Sequence, residues 1–380
     1  MENFTFHNPT KIIFGKGTIS GIGPEMKRAG FSRILLLAGS GSIKKNGVYE
    51  QALISLNSSN IEITESWGVR ANPTLSHAEK SIDLARKNNI EAVLAIGGGS
   101  VIDEAKSIAA GFYIDNLWDA FEKKASIEKA LPIYTILTLS GTGSEMDSFA
   151  VLSNEEEQKK WNIGSPLLYP KTSIIDPSAQ MSLPWEQTVF GAIDAMSHIM
   201  EFYFLGKHQE STIALDESLM HTIINCVDNL QKDHKDYNLR ANLAWSATMA
   251  LNGITSLGLG GGDWASHRIE HGISALHPDV AHGAGLAIIF PAWIKYMFKN
   301  NPNQFHRWSK NIWNGFTVED GIINMKKKFM NWGAPTKLRD IGIHNSEFEE
   351  IADNALRFGD VGFMKKFDKD DIIKILQIAF

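Results

Sequence analysis

The sequence predicts an α/β amino-terminal domain with a parallel sheet, followed by an all-helical domain. In the first half, short apolar runs such as RILLLA at 33–38 and EAVLAI at 91–96 each lead directly into a glycine-rich turn and a helical segment. This repetition of strand, turn and helix is typical of a doubly wound parallel sheet. After Pro184 helical periodicity replaces the alternating strand pattern, which indicates a second, helical domain.

The length of the chain supports two domains. With 380 residues and 43% hydrophobic content, it exceeds the usual size of one compact domain and can bury a large core. We place the boundary near residues 180–184, which gives domains 1–182 and 183–380. The segment SLPWEQ at 182–187 is predicted to open the first helix of the second domain, with Ser182 as its cap.

Composition and charge exclude several classes of function. The formal net charge is −6, and no run of lysine or arginine could follow a phosphate backbone or a lipid surface, so we expect no nucleic-acid or membrane partner. The amino terminus lacks a signal-peptide pattern, and no apolar run reaches membrane-spanning length. The single cysteine, Cys226, lies in an apolar helical segment typical of core packing. We therefore expect a soluble, cytoplasmic protein.

Glycine-containing turns follow three successive predicted strands. They are GSGS at 39–42, GGGS at 97–100 and GTGS at 141–144. Open parallel sheets bind ligands at the carboxyl ends of their strands, where glycine lets backbone amides approach a pyrophosphate. One GGGS turn alone is explained equally well by a tight strand-to-helix connection. Three such turns at one edge favour nucleotide binding.

The first turn bears on which nucleotide would bind. An acidic residue after this strand would pair with a ribose 2′-hydroxyl and would repel a 2′-phosphate. This chain instead has Gly39-Ser40-Gly41-Ser42, followed by Lys44 and Lys45. Small neutral donors beside cations favour NADP(H) over NAD(H). The alternative is a flexible glycine-serine loop without a ligand.

Carboxylate and imidazole groups recur at helical spacing in the second half. Asp194 and His198 are four residues apart, which places them on one helix face. Four histidines follow close together: His267, His271, His277 and His282. Each alone is most simply a surface or core residue. Together they form a thiolate-free ligand set that suits Fe(II) or Zn(II), and spacing leaves His271 and His282 equally plausible as the fourth ligand.

These motifs, in this order, resemble the iron-containing (group III) alcohol dehydrogenases over essentially the whole chain, and most of all their NADPH-dependent butanol dehydrogenase and aldehyde reductase branch. The resemblance rests on residues 39–51, 97–106, 138–147, 191–201 and 267–288. It implies a dehydroquinate synthase-like fold, with an α/β dinucleotide-binding domain, a helical metal-binding domain and an active site between the two.

The resemblance also implies roles for individual residues. The metal ligands would be Asp194, His198, His267 and His282, with His271 beside the substrate and nicotinamide. The proton for the substrate oxygen would come from His271 or from an ordered water linked to the cofactor ribose. Predicted cofactor contacts are Gly39, Ser40 and Ser42 near a 2′-phosphate, Gly97, Gly98, Gly99 and Ser100 at the pyrophosphate, Asp103, Thr138, Thr142, Ser144 and Phe149 along the rest of the cofactor, and Lys160 at the nicotinamide ribose.

Some positions depart from the pattern that the family most often shows. Ser140-Gly141 stands where a proline-alanine pair is frequent, Asp147 where asparagine is usual, and Glu104 where a small residue is common. These departures bear on the detailed fit of the cofactor. For an apolar substrate pocket the candidates are Phe149, Trp264 and Leu259, although such residues are more often plain core.

The expected function is the NADP(H)-dependent interconversion of small primary alcohols and aldehydes at a divalent metal, Fe²⁺ or Zn²⁺. A homodimer is expected, because FTFHNPTKIIFG at 4–15 resembles the strand through which family members pair. The alternatives are a polyol (glycerol-type) dehydrogenase, a dehydroquinate-synthase-like lyase, and a non-catalytic nucleotide-binding or metal-sensing protein. The lyase would need a cationic pocket, for which Arg268 alone is insufficient.

Overall fold

The computed structural model describes residues 1–380 and divides into two compact units. The sheet unit contains residues 8–183 and 235–244, and the helical unit contains residues 1–7, 184–234 and 245–380. The main break at 183–184 lies one residue from the predicted boundary. No local sequence pattern indicates that residues 1–7 group with the helical unit or that residues 235–244 group with the sheet unit.

The sheet unit contains a six-stranded parallel sheet in the order β1-β8-β5-β4-β2-β3 and a separate antiparallel hairpin, β6-β7. The strands are β1 Lys11–Phe14, β2 Arg33–Ala38, β3 Glu62–Trp67, β4 Ala92–Gly97, β5 Ile133–Leu137, β6 Phe149–Asn154, β7 Lys159–Gly164 and β8 Thr172–Ile175. The helices of this half are α1 Ile22–Arg28, α2 Ser42–Lys45, α3 Val48–Ser58, α4 Leu75–Lys87, α5 Gly99–Gly111 and α6 Trp118–Phe121.

Both faces of the parallel sheet are covered, and this explains the apolar runs in the sequence. In β2, Leu35 and Leu37 belong to one buried hydrophobic cluster, whereas Ile34 and Leu36 belong to another. Because side chains alternate between the faces of a strand, a strand buried on both sides must be apolar at every position. The predicted parallel α/β sheet is therefore confirmed.

The strand that was predicted at 91–96 runs from Ala92 to Gly97, a shift of one residue. The strand β3 and the hairpin were not predicted. The sequence of β3, EITESW, is only partly buried because this strand forms an edge of the sheet, so it carries no continuous apolar run. An edge strand of mixed polarity gives a weak signal in a single sequence.

The remaining helices are α7 Trp185–Tyr203, α8 Glu210–Leu230, α9 Tyr237–Ala250, α10 Ala265–Leu276, α11 His282–Met297, α12 Pro302–Trp313, α13 Val318–Trp332, α14 Phe348–Leu356 and α15 Lys369–Ala379. No strand follows Ile175, which confirms a helical second half. None of the helices combines the length and the apolarity that crossing a membrane requires.

The predicted cap of α7 is wrong. Helix α7 begins at Trp185, its N-cap is Pro184, and no side chain caps it. Pro184 adopts an extended backbone conformation with φ −52° and ψ 143°, so the helix can start only after it. Ser182 therefore lies three residues before the first helical residue, too far back to serve as its N-cap.

Asp216 on α8 carries a buried carboxyl group that no hydrogen bond stabilises. Its side chain is completely buried, and neither carboxylate oxygen has a hydrogen-bond partner. Burial raises the pKa of Asp216 well above its usual value, and the neighbouring charge of Glu217 raises it further. A carboxyl whose pKa is raised in the folded state destabilises the fold progressively as the pH climbs from the unfolded pKa toward the folded one.

We expect Asp216→Asn to increase the free energy of unfolding at pH 8 by about 1–3 kcal/mol, and by less at pH 5, because asparagine needs no proton to stay neutral. Urea unfolding at the two pH values measures this difference. The exposed Asp115 provides the matched control, Asp115→Asn, which should change little at either pH. Equal stabilities of the wild type and Asp216→Asn at pH 8 would contradict the prediction.

Candidate metal centre and nucleotide-binding edge

The four predicted metal ligands come from three helices of the helical unit. Asp194 and His198 lie one turn apart on α7, His267 lies on α10, and His282 is the first residue of α11. The first three are buried, and His282 is partly buried. Helical spacing accounts for the pair on α7, whereas packing of the helices brings the other two histidines to it.

One oxygen of Asp194 lies at the middle of this group. Its Oδ1 is 3.7 Å from Nε2 of His198, 3.9 Å from Nε2 of His267 and 3.6 Å from Nε2 of His282. These separations are too long for hydrogen bonds but close to those between ligands that share one ion at about 2.0–2.2 Å. Asp194 Oδ1 and His267 Nε2 are buried and have no hydrogen-bond partner. Because such atoms are costly unless something bonds them, the residues fit a divalent ion.

Two buried glutamates support the histidines from outside. Glu201 is hydrogen-bonded to Nδ1 of His267 at 2.6 Å and accepts a second hydrogen bond from the backbone N–H of Trp264 at 2.5 Å. Glu270 is hydrogen-bonded to Nδ1 of His282 and to the hydroxyl of Ser274. Such contacts fix the ring orientation and leave Nε2 of each histidine facing Asp194 Oδ1.

Neither glutamate was predicted from the sequence. Glu201 follows Asp194 by seven residues, two helical turns, and Glu270 follows His267 by three, so both lie on helix faces near a predicted ligand. That spacing is the signal that could have identified them. It is weak, because acidic residues on helices are common and nothing in one sequence shows that these two are completely buried.

The charges at this centre reinforce one another. Burial alone would raise the pKa of Asp194, but the charges of His198, His282 and His267 lower it to about 2. Burial opposes protonation of His267, whereas Asp194 and Glu201 raise its pKa to about 9. The carboxylates therefore create a strongly cation-attracting site, and a metal ion would replace protons that they otherwise stabilise.

His271 and His282, which spacing leaves equally plausible as the fourth ligand, have different neighbours in the structure. His282 has a ligand atom within 4.8 Å of those of Asp194 and His267, whereas His271 groups in the same way with Glu270 and His282. The rings of His271 and His282 lie 5.5 Å apart, and His271 is partly exposed. His277 is hydrogen-bonded to Glu347 at 2.6 Å.

Trp264 lies against two of these histidines in an unusual conformation. Its φ of +60° is in the left-handed region, which bulky side chains rarely adopt. Its ring centroid is 5.2 Å from that of His267 and 6.2 Å from that of His198. Of the other candidate pocket residues, Leu259 is buried in the helical unit, and Phe149 belongs to the sheet unit.

The three glycine turns lie along one edge of the parallel sheet. They follow β2, β4 and β5, which are consecutive neighbours in the strand order, so their carboxyl ends share an edge. The backbone N–H of Thr138 donates to the carbonyl of Gly97 at 2.9 Å and links the carboxyl ends of β4 and β5. This is the edge at which open α/β sheets bind ligands.

The GGGS turn needs glycine for space. None of Gly97, Gly98 and Gly99 has a positive φ. A Cβ on Gly97 would lie 2.4 Å from Val101, and one on Gly99 would lie 2.2 Å from Thr142. Gly99 and Ser100 form the first turn of the 13-residue helix α5, whose free amides are suited to an anion. The Ser100 hydroxyl donates to the carbonyl of Ala71.

A buried network holds the third turn. The hydroxyl of Ser144 donates to Asp103 at 2.6 Å, and the completely buried Lys106 donates to Ser144 at 2.9 Å and to Asp147 at 2.7 Å. The Thr142 hydroxyl accepts the backbone N–H of Ser144 at 3.1 Å. Asp147, one of the departures from the family pattern, thus neutralises a buried ammonium.

Another departure, Glu104, also has a local partner. This completely buried residue of α5 is hydrogen-bonded to Nδ1 of His77 at 2.5 Å, and Nε2 of His77 contacts the carbonyl of Trp67 at 3.0 Å. The hydrogen bond to Glu104 raises the pKa of His77. The pair connects α5, α4 and the end of β3.

The other predicted cofactor residues lie on the hairpin and in the first turn. Phe149 begins β6 and is 53% exposed, and Lys160 is buried on β7. In the first turn, Ser40 and Ser42 are exposed, and Gly41 adopts a φ of +111° that only glycine tolerates easily. Contact of these residues with a cofactor stays a prediction.

Comparison with known proteins agrees with this geometry. Residues 9–177 match the family model of iron-containing alcohol dehydrogenase, and residues 188–380 match that of the Fe-containing alcohol dehydrogenase family, C-terminal. The chain is 41% identical to the probable NADH-dependent butanol dehydrogenase 2 of Bacillus subtilis, with 100% of both chains covered. It is 32% identical to the NADPH-dependent aldehyde reductase YqhD of Escherichia coli, with 92% of both covered.

Solved structures show the same fold. The crystal structure of the NADH-dependent butanol dehydrogenase A from Thermotoga maritima matches with a TM-score of 0.98 and 48% identity, over 100% of this chain and 99% of that one. These matches also confirm the dehydroquinate synthase-like architecture. The chain belongs to the iron-containing alcohol dehydrogenase family and is a metal-dependent, NAD(P)-dependent alcohol dehydrogenase.

Proposed function

We propose that this enzyme interconverts small primary alcohols and aldehydes, with NADP(H) as its preferred cofactor and one divalent ion held by Asp194, His198, His267 and His282. The observation that carries the metal site is the buried, unpartnered Oδ1 of Asp194, with three imidazole Nε2 atoms at 3.6–3.9 Å. Relatives named as butanol dehydrogenases and as an aldehyde reductase support this substrate class rather than polyols.

The donor set of one carboxylate and three imidazoles suits Fe²⁺ or Zn²⁺. When bound, such an ion supplies Lewis acidity toward a substrate oxygen. The protein's own contribution is to hold these ligands in place, through Glu201 behind His267 and Glu270 behind His282. Trp264 would cover one side of the two buried histidines and exclude water from them.

We assign the proton transfer to His271. Its imidazole is partly exposed, lies one helical turn after His267 and is 5.5 Å, ring to ring, from His282. Imidazole exchanges protons readily near neutral pH. In aldehyde reduction it would give a proton to the substrate oxygen as hydride reaches the carbon, and in alcohol oxidation it would remove one.

The cofactor would lie along the carboxyl edge of the sheet. The turn Gly97–Ser100 and the first turn of α5 would hold the pyrophosphate, since their amides suit an anion. Thr138, Thr142 and the hairpin residues Phe149 and Lys160 would contact the rest of the cofactor, while Asp103 and Ser144 would act mainly by fixing the third turn.

The preference for NADP(H) rests on the first turn. Gly39 stands where an acidic residue would select the ribose 2′-hydroxyl, and Ser40 and Ser42 expose hydroxyl donors. The relatives at 40% and 41% identity are named NADH-dependent and the one at 32% identity is named NADPH-dependent, so the proposed preference rests on residues of this chain and not on these names.

We further propose a homodimer located in the cytoplasm. β1 is an edge strand of the sheet, with one side of its backbone open to pairing. Phe4 and Phe6, in the preceding segment, are 51% and 47% exposed. A second copy of the chain would cover both features.

The test of the proposed function is the initial rate of butanal reduction by metal-free protein, by the same protein after addition of Fe(II) or Zn(II), and with NADPH or NADH. We expect turnover only with metal, because the aldehyde oxygen needs the positive charge of the ion. We expect faster turnover with NADPH, because its 2′-phosphate would bind beside the lysines that follow the first turn. If neither cofactor supports turnover with either metal, the proposed reaction is wrong.

The glutamates behind the histidines give a second prediction. Glu201→Gln and Glu270→Gln should each weaken metal binding about 10–100-fold, because the carboxylate that orients the ligand and raises its basicity is lost. Metal content after dialysis and Zn(II) affinity by competition with a chelator measure this directly. Glu186→Gln, on the exposed first turn of α7, is the control and should keep its metal. Unchanged metal affinity in both test variants would show that the two glutamates do not contribute to metal binding.

A further inference from the structure

A lysine is held over two aromatic rings next to the first glycine turn. The ammonium nitrogen of Lys44 lies 4.0 Å from the ring centroid of Trp67 and 5.1 Å from that of Tyr49. The two rings meet edge to face, with centroids 5.2 Å apart. Aromatic faces attract cations, so the two rings restrict where the Lys44 ammonium can go.

Glu65 is hydrogen-bonded to both aromatic side chains and fixes their positions. Its carboxylate accepts hydrogen bonds from the hydroxyl of Tyr49 at 2.5 Å and from the indole N–H of Trp67 at 2.7 Å. Burial and the hydrogen bond to Glu65 raise the pKa of Tyr49 to about 12, so this hydroxyl remains a donor. We call Lys44, Tyr49, Glu65 and Trp67 the lysine cage.

The lysine cage borders the turn that would receive the adenosine end of the cofactor. Trp67 ends β3 and pairs with Ala38, the last residue of β2. The backbone N–H of Gly68 donates to the carbonyl of Ala38 at 3.1 Å, and a Cβ on Gly39 would lie 3.5 Å from the carbonyl of Val69. The chain after Trp67 therefore runs against the first turn.

We propose that Lys44, placed by its cage, recognises the 2′-phosphate of NADP(H) and sets the preference for it over NAD(H). The inference rests on the proposed cofactor site. Lys44 is exposed, and an ammonium lying on ring faces still directs N–H groups outward to an anion. Glu65 keeps its negative charge, but its two carboxylate oxygens accept hydrogen bonds from Tyr49 and Trp67, which orient the carboxylate toward the two rings.

The cage makes Lys44 different from its neighbour Lys45. Both are exposed lysines on α2, and no aromatic contact is seen for Lys45. A free lysine loses rotamer freedom when it binds an anion, whereas a side chain that is already restricted loses less. Lys45 therefore provides a control for charge alone.

The test uses the full chain and two nucleotide fragments, 2′,5′-ADP and 5′-AMP, which differ only by the 2′-phosphate. Calorimetric titration should show that Lys44→Met weakens binding of 2′,5′-ADP about tenfold or more and leaves 5′-AMP unchanged, because one charge-assisted contact is lost. Lys45→Met should weaken 2′,5′-ADP by about threefold or less, since an exposed, mobile charge is screened.

The proposal is overturned if Lys44→Met weakens both fragments equally, leaves both unchanged, or affects 2′,5′-ADP no more than Lys45→Met does. Titrations with NADPH and NADH separate this failure from that of the proposed cofactor. If the wild type binds both dinucleotides and Lys44→Met keeps their affinity ratio, only the role of Lys44 is wrong. If the wild type binds neither, the proposed cofactor site fails as well.

The ring contacts can be tested separately. Trp67→Leu removes the ring face under Lys44, and we expect a loss of 2′,5′-ADP affinity smaller than that of Lys44→Met, with 5′-AMP unchanged. Trp67→Phe restores a ring and should recover part of that loss. Equal affinity of Trp67→Leu and the wild type for 2′,5′-ADP would show that the cage does not position the lysine. Circular dichroism checks that each variant is folded.

Discussion

The carboxylate of Asp194 lies buried among three imidazole groups, and the arrangement of α7, α10 and α11 serves to keep it there. An isolated buried carboxylate is costly, and so is a buried imidazole nitrogen without a partner. Here Asp194 Oδ1 and His267 Nε2 are both buried without a hydrogen-bond partner and lie close together, and a divalent cation bound between them would remove the energetic cost of both. The centre is therefore a place where the fold holds polar atoms for a ligand that the chain alone does not supply.

Two further carboxylates, Glu201 and Glu270, make this centre rigid. Each is completely buried and is hydrogen-bonded to Nδ1 of one histidine. Because both glutamates lie on helices, the positions of the helices set the orientation of the two imidazole rings. Glu201 also accepts the backbone N–H of Trp264, whose left-handed conformation is thereby held. Glu201 thus links the candidate metal ligand His267 to the indole beside it, and a change at Glu201 would disturb both.

In the sheet unit, the glycine turns shape the backbone at the carboxyl edge of the sheet so that it suits an anion. A Cβ at Gly97 or Gly99 would clash with Val101 or Thr142, so only glycine fits these positions, and the buried ion pair of Lys106 with Asp147 holds the third turn. Both departures at Asp147 and Glu104 are matched by a local partner, Lys106 and His77. They are therefore compatible with an intact nucleotide-binding edge.

Local sequence patterns predicted the fold class, the glycine turns and the residue types of the candidate metal ligands. Apolar runs in buried strands and the four-residue spacing of Asp194 and His198 are local consequences of strand and helix geometry, so one sequence displays them. The different neighbours of His271 and His282, the two supporting glutamates and the lysine cage could not be predicted in this way. His282 approaches Asp194 because α11 packs against α7, and Lys44 lies on Trp67 because β3 pairs with β2. Such contacts join residues far apart in the chain, and no local pattern records which of them will meet.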